Sequence, residues 1–160
     1  MEETIKNIAN APSNHLKGVL AFGSDHAGYE YKEFLKEVAR DWGYTIIDCG
    51  THSTDSVDYP DFIPPVVSEV LAGALGVMIC GSGIGMSIGA NRFNHIRAAL
   101  CTDSLMAKLS RTHNDANILI LGERLIGKEE AVACLEAFLN NTFEGGRHAR
   151  RVEKLDQLVK

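Results

Sequence analysis

Five short apolar runs alternate with helical patterns along this chain, and that alternation restricts the fold more than any other feature. The runs cover residues 19–23, 44–48, 74–80, 96–101 and 118–122. Each reads as apolar on both faces, the pattern of a parallel sheet covered on both sides. Between the first two, Tyr31, Phe34, Leu35, Val38 and Trp42 recur at spacings of three and four, and Gly43 stops that helix. Phe62, Val66, Val67, Val70 and Leu71 give a second apolar face, with Pro64 and Pro65 acceptable only in its first turn. A third helix runs from 84 to about 93. Thr102-Asp103 can cap a fourth over 104–112, with Leu105 and Leu109 facing inward. A fifth, over 128–140, buries Ala131, Val132, Leu135, Phe138 and Leu139. After Gly145-Gly146 a last helix runs from 147 to the end. The expected fold is α/β: a three-layer α/β/α Rossmann-like sandwich around a five-stranded parallel sheet. Residues 18–160 form its single domain. Residues 1–17, polar and carrying Pro12, read as a flexible extension.

A length of 160 residues fits one domain with a real core. The formal net charge of −5 argues against general nucleic-acid affinity, which needs a basic face. No apolar run approaches a membrane span, and the first seventeen residues lack an apolar signal core, so a cytoplasmic location is expected. Four cysteines without CxxC spacing (Cys49, Cys80, Cys101, Cys134) speak against a zinc site or a disulfide framework.

In parallel sheets ligands sit at the carboxyl ends of the strands. The polar groups gather there: Ser24-Asp25-His26 after the first strand, residues 49–59 after the second, 80–85 after the third, Asp103 after the fourth and Glu123-Arg124 after the fifth. The densest stretch is 76–87, where a strand ends in Cys80 and passes through Gly81-Ser82-Gly83-Ile84-Gly85 into a helix. Backbone N–H groups in such a turn suit an oxyanion or phosphate. A dinucleotide fingerprint fails on spacing, because GxGxxG starting at 81 needs glycine at 86 and finds Met86, although Asp103 lies about where a ribose-binding acid falls. Close packing of helix on sheet explains Gly89 better than the run from 81 to 85.

Cysteine is usually a small buried hydrophobe, and that reading suffices for Cys101 and Cys134. Cys80 has a second reading, since free N–H groups at a helix start favour a thiolate able to act as base or nucleophile. His113 ends a helix and suits a C-terminal cation. His26 beside Asp25 suits a surface loop pair, and His15, His52 and His95 have no supporting neighbours. Arg147 and Arg151 are four apart on one helix face, a spacing that clamps phosphate or carboxylate or forms a solvated face.

Taken together, Gly23-Ser24-Asp25-His26-Ala27-Gly28, Asp58-Tyr59-Pro60, Cys80-Gly81-Ser82-Gly83-Ile84-Gly85, Ser110-Arg111-Thr112-His113-Asn114-Asp115 and Glu144-Gly145-Gly146-Arg147-His148 make the chain resemble the B-type ribose-5-phosphate isomerases. The wider family includes galactose-6-phosphate isomerase subunits. The resemblance covers about residues 18–159. It implies interconversion of D-ribose 5-phosphate and D-ribulose 5-phosphate without metal or cofactor. It also implies Cys80 as base, Ser82 as a hydroxyl donor where threonine is frequent, and the N–H groups around Gly81, Gly83 and Gly85 at the enediolate. His113 would open the ring, with Asp25 its partner at the ring oxygen or a hydroxyl, and Asn114 would bind a hydroxyl. His26, Arg124, Arg147 and Arg151 would hold the phosphate, and Tyr59 would line the pocket. The family implies strand order 2-1-3-5-4 and a homodimer or tetramer with sites between subunits. The C-terminal helix would then reach a partner through Val152, Leu155 and Val159, a stripe that suits its own subunit equally. Six-carbon substrates (allose or galactose 6-phosphate) are the nearest alternative. A non-catalytic sugar-phosphate or nucleotide binding module is disfavoured by Cys80, His113 and Asp25 together.

Overall fold

A computed structural model describes residues 18–158. The expected extension at 1–17, with His15, and the stripe residue Val159 lie outside the described residues. The strands are β1 (Val19–Ser24), β2 (Thr45–Asp48), β3 (Leu75–Cys80), β4 (Ala98–Leu100) and β5 (Ile118–Gly122). The α-helices are α1 (Tyr29–Asp41), α2 (Ile63–Leu71), α3 (Ile84–Ala90), α4 (Ser104–Asn114), α5 (Lys128–Asn140) and α6 (Arg147–Asp156). Short 3-10 turns at His26–Gly28 and Tyr59–Phe62 lead into α1 and α2. The strands form one parallel sheet in the order β2-β1-β3-β5-β4, as the resemblance implies.

Alternation along the three central strands builds the two outer layers. Leu20 and Phe22, Val77 and Ile79, and Leu119 and Leu121 face one side, where Phe34, Leu35 and Val38 of α1 and Val132, Leu135 and Phe138 of α5 cover them. Ala21, Met78, Cys80, Ile118 and Ile120 face the other, against Ile63, Val66, Val67 and Val70 of α2 and Met86 of α3. Cys80 therefore points into the α2/α3 layer. The strands bury both faces only in the middle of the sheet. At the edge, Thr45 is exposed and Ile46, Ile47 and Asp48 are half-buried, because β2 has one strand neighbour and partial cover.

Several boundaries differ from expectation. The apolar run at 96–101 gives only three strand residues, since β4 pairs with β5 alone. The third helix stops at Ala90, and the last stops at Asp156. Leu105 and Leu109 do not face inward: they are 61% and 37% exposed, while Ala107 and Ser110 carry the inner face of α4. Leu71 is likewise exposed at the end of α2. On α6, Val152 is buried against its own chain and Leu155 is exposed. Among the described residues no helix is long and apolar enough to cross a membrane.

One polar cluster ties α1 to the carboxyl end of β2. Lys32, fully buried, donates to both Asp48 oxygens at 2.7 and 2.8 Å, and Lys36 reaches Asp48 as well as Glu33. The Gly50 N–H also donates to Asp48 Oδ1 at 2.9 Å. Burial opposes ionisation of Asp48, but bonds from Lys32, Lys36 and Gly50 outweigh it and hold the carboxyl down at about 2. A carboxyl lowered from 3.8 in this way stabilises the fold above its unfolded value, and the contribution is lost as pH falls through the folded one. Unfolding free energy should therefore drop between pH 4 and pH 2 in the native chain, an interval set by the ordinary 3.8 and the folded value near 2. Asp48→Asn should flatten that dependence and cost about 3 kcal/mol at neutral pH by leaving Lys32 underpaired. Denaturant unfolding across that pH range measures both, and an unchanged slope would remove Asp48 from this role.

Candidate active site

The order β2-β1-β3-β5-β4 puts the topological switch between β1 and β3, whose outgoing segments leave toward opposite edges of the sheet. Ligands of open α/β sheets bind in that crevice. Ser24 pairs with Ile79 in the ladder, so the next residues on each strand, Asp25 and Cys80, emerge side by side. Asp25 is buried and caps the following turn. Its Oδ1 accepts the N–H groups of Ala27 and Gly28 at 3.0 and 3.1 Å, which leaves Oδ2 free of them. His26 Nδ1 accepts the Val57 N–H at 3.1 Å, so in the neutral ring Nε2 carries the proton. That bond also ties His26 to the 49–59 loop.

Cys80 is buried, and its Sγ accepts the Gly83 N–H at 3.1 Å. Gly83 takes φ +77°, a conformation that L side chains rarely adopt, and this bends the chain back over the sulfur. Ser82 Oγ accepts the Ile84 N–H at 3.3 Å, which leaves the hydroxyl proton available to a ligand. Burial pushes the Cys101 thiol up to about 11 and the Cys134 thiol up to about 12, and it raises Cys49 as well.

The chain after β5 locks onto this turn. Glu123 N–H donates to the Cys80 carbonyl at 3.0 Å, and Arg124 N–H to the Gly81 carbonyl at 2.9 Å. At Gly122 the two backbones touch: a Cβ there would stand 2.5 Å from the Ser82 carbonyl oxygen. Arg124 lies over Gly81, since a Cβ on that glycine would be 3.1 Å from its Nη1. The Tyr59 ring packs in the same way over Gly85. Glu123 was not expected as a site residue. Its carboxylate accepts the Tyr31 N–H at 3.2 Å and so caps α1. Burial raises it, and Glu30 and Asp25 nearby add to that, against the Tyr31 N–H and Lys128. Its only sequence signal was its place at the end of a strand.

So the structure gathers Asp25, His26, Tyr59, Cys80, Gly81, Ser82, Gly83, Gly85 and Arg124 at the carboxyl end of the sheet. It does not bring His113, Asn114, Arg147 and Arg151 there. Those four lie toward the amino ends of the strands. His113 and Asn114 end α4 just before β5, whose Ile118 pairs with Gly76 at the start of β3. Gly76 and Cys80 are four strand residues apart, about 13 Å at the usual rise. Arg147 and Arg151 are exposed on α6 and form no ion pair among the described residues. His113 and His148 stack, with ring centroids 4.3 Å apart. His148 titrates lower than usual through desolvation and the positive charge of its surroundings, His113 and Arg147 among them, with Glu144 opposing.

A parallel α/β sheet with small polar groups and a glycine turn at its switch point defines the class of protein that binds a small ligand there. The chain belongs to the Ribose/Galactose Isomerase family, whose model matches residues 20–155. Ribose-5-phosphate isomerase B of Escherichia coli K12 is 42% identical over 138 residues, which are 85% of this chain and 93% of that one. A relative in Rickettsia bellii, also 42% identical, over 86% of this chain and 96% of its own length, carries only the broader name sugar phosphate isomerase. Among solved structures, ribose-5-phosphate isomerase B of Clostridium thermocellum superposes with a TM-score of 0.86 at 48% identity, covering 88% of this chain and 96% of that one. The enzyme of that name from Anaplasma phagocytophilum gives 0.83 at 52% identity, over 87% and 96%.

Gly122→Ala should lower the unfolding free energy by about 2 kcal/mol, because the new methyl meets backbone that cannot rotate away. Gly127→Ala, with nothing within 4 Å of its Cβ position, is the control and should change stability by less than about 0.5 kcal/mol. Equal effects in denaturant titrations would mean that the turn is not tightly seated on β5.

Proposed function

We propose that this chain interconverts D-ribose 5-phosphate and D-ribulose 5-phosphate through a cis-enediolate, a step of pentose phosphate metabolism in the cytoplasm. The observation that carries the reading is the Cys80 sulfur, buried at the switch point and accepting the Gly83 N–H at 3.1 Å. A fixed N–H donor is the partner that a thiolate needs if it is to persist in a buried site.

In the open-chain aldose the Cys80 thiolate takes the C2 proton. The C–H electron pair becomes the C1–C2 double bond, and the charge moves to the carbonyl oxygen. The thiol then returns the proton to C1, while the O2 proton passes to O1 and leaves the ketone at C2. The N–H groups of the 81–85 turn other than those of Gly83 and Ile84, which Cys80 Sγ and Ser82 Oγ engage, face the developing oxyanion together with the Ser82 hydroxyl, where donors fixed in advance stabilise the transition state most. Before that step His113 takes the anomeric hydroxyl proton, the O–H electron pair forms the C1 carbonyl as the bond from C1 to the ring oxygen breaks, and a proton from the imidazolium or water passes to the ring oxygen. Asp25 assists through its uncapped oxygen, and Asn114 holds a hydroxyl. His26, Arg124, Arg147 and Arg151 bind the phosphate, and Tyr59 walls the pocket.

These roles need both ends of the sheet, and one chain keeps the ends apart. We therefore read the enzyme as a homodimer or larger homo-oligomer in which one copy supplies Cys80, Asp25 and His26, and the other supplies His113, Asn114, Arg147 and Arg151. The exposed Ile84 and Ile88 of α3, Leu105 and Leu109 of α4, and Leu155 of α6 support an apolar contact between copies.

Cys80→Ala and His113→Ala should each be inactive alone. Co-refolded, they should recover about a quarter of native activity, since half the dimers are mixed and each mixed dimer has one intact site of two. No recovery would count against shared sites. A fully active Cys80→Ala would remove Cys80 as the base.

The family description joins ribose and galactose, which keeps a six-carbon 6-phosphate as the second reading. Catalytic efficiency on ribose 5-phosphate should exceed that on allose 6-phosphate and galactose 6-phosphate, and the reverse order would overturn the pentose assignment.

A further inference from the structure

Three side chains converge at the amino end of the sheet, the proposed ring-opening His113 and two to which the isomerisation gives no role. The ligand-capable atoms of His113, Glu144 and His148 all lie within 4.8 Å of one another. The two imidazoles stack with 15° between their planes, and His113 Nε2 is 4.0 Å from Glu144 Oε2. Backbone bonds hold the three in register. The Glu144 N–H donates to the Thr112 carbonyl, one residue before His113, and the His148 N–H to the Gly145 carbonyl, both at 3.0 Å. None of the three side chains has a hydrogen bond within normal range to any other described residue.

Two imidazole nitrogens and one carboxylate oxygen are the donor set of a borderline dication such as Zn²⁺. Tetrahedral ligands at the usual bond lengths stand about 3.3 Å apart, so the cluster must contract by about 1.5 Å at most. The side chains can rotate to do so, since those of His113 and Glu144 are 37% and 60% exposed.

We propose that His113, Glu144 and His148 bind a Zn²⁺-class cation with one coordination position left open, and that the occupied site cannot open the sugar ring. The inhibitory half rests on the ring-opening role given to His113 above. The metal would take the imidazole lone pair that otherwise accepts the anomeric proton. Mg²⁺, which prefers oxygen ligands and holds its waters, should not compete.

The test is titration of the purified full-length protein with Zn²⁺ against a chromogenic chelator, with Co²⁺ absorption as a second readout. One Zn²⁺ per chain is expected, with tetrahedral Co²⁺ bands. Affinity should fall by at least about tenfold in His148→Gln and in Glu144→Gln, each verified as folded by circular dichroism, and should be unchanged in Cys80→Ser. Isomerase activity should decline with occupancy and return on chelation. Absence of stoichiometric binding overturns the site, as does an affinity lost in Cys80→Ser and kept in His148→Gln, which would put the metal on the thiol. Binding with undiminished activity overturns the inhibitory half and with it the role of His113. A chain without isomerase activity in chelator overturns the functional reading, while the titration still decides the site.

Discussion

The carboxyl end of this sheet depends on β3 and β5 staying in contact after their ladder ends. The last paired residues are Cys80 and Gly122. Beyond them two more backbone bonds form, from Glu123 to Cys80 and from Arg124 to Gly81. Only a residue without a Cβ lets the strands run this close, because the Ser82 carbonyl occupies the place where a side chain would start. The glycine turn is thus a segment clamped on a second strand, and this fixes its donors in place, the Gly83 N–H on the Cys80 sulfur among them. Fixed direction is what separates a donor that stabilises a transition state from one that merely hydrates a surface.

The same clamp distributes the remaining residues. Arg124 follows the bond to Gly81 and lies over the turn. Glu123 turns the other way and caps α1, the helix that Lys32 and Lys36 anchor to Asp48. Asp48 in turn holds the Gly50 N–H, while the Gly50 carbonyl accepts from Ser24 and the Ser24 carbonyl accepts from Thr51. Asp25 therefore sits between a strand paired to β3 and a loop fixed by a buried ion cluster. Its position beside Cys80 is supported from both flanks.

The layers and the polar crevice at the carboxyl ends were legible in the sequence because each rests on a local pattern. Alternation of strand and helix specifies a parallel sheet, and polar residues at strand ends mark the crevice. Leu105 and Leu109 were misread because a helical stripe says which residues share a face and not whether that face meets the same chain. Ala107 and Ser110 show that the inner face of α4 is the one with small residues, where α4 lies close against its neighbours. The edge strands β2 and β4 were read as more buried or longer than they are, since an apolar run does not reveal how many neighbours a strand will have. Tyr59 and Arg124 were named from the motif pattern, but their seats over Gly85 and Gly81 depend on loop paths that no periodicity encodes.

The separation of His113 from Cys80 is the feature that sequence order hid most completely. A residue one helix and one turn before β5 reads as close to the residues after β5, yet a parallel strand carries the chain across the whole sheet between the two. The same rule that gathers Asp25, Cys80 and Arg124 at one end excludes everything that enters a strand from the other. Arg147 and Arg151 fall under it as well, since α5 returns the chain to the amino end before α6 begins. Unpaired guanidiniums on an acidic chain, beside two stacked imidazoles, do not make a complete site of their own for the proposed reaction, because they lack the C2 base and an oxyanion cradle. Under the proposed reaction the carboxyl end supplies both and lacks only the ring-opening imidazole and most of the phosphate charge. In that proposal each end supplies what the other is missing, and a two-fold pairing of copies is the simplest closed arrangement that would join unlike ends twice.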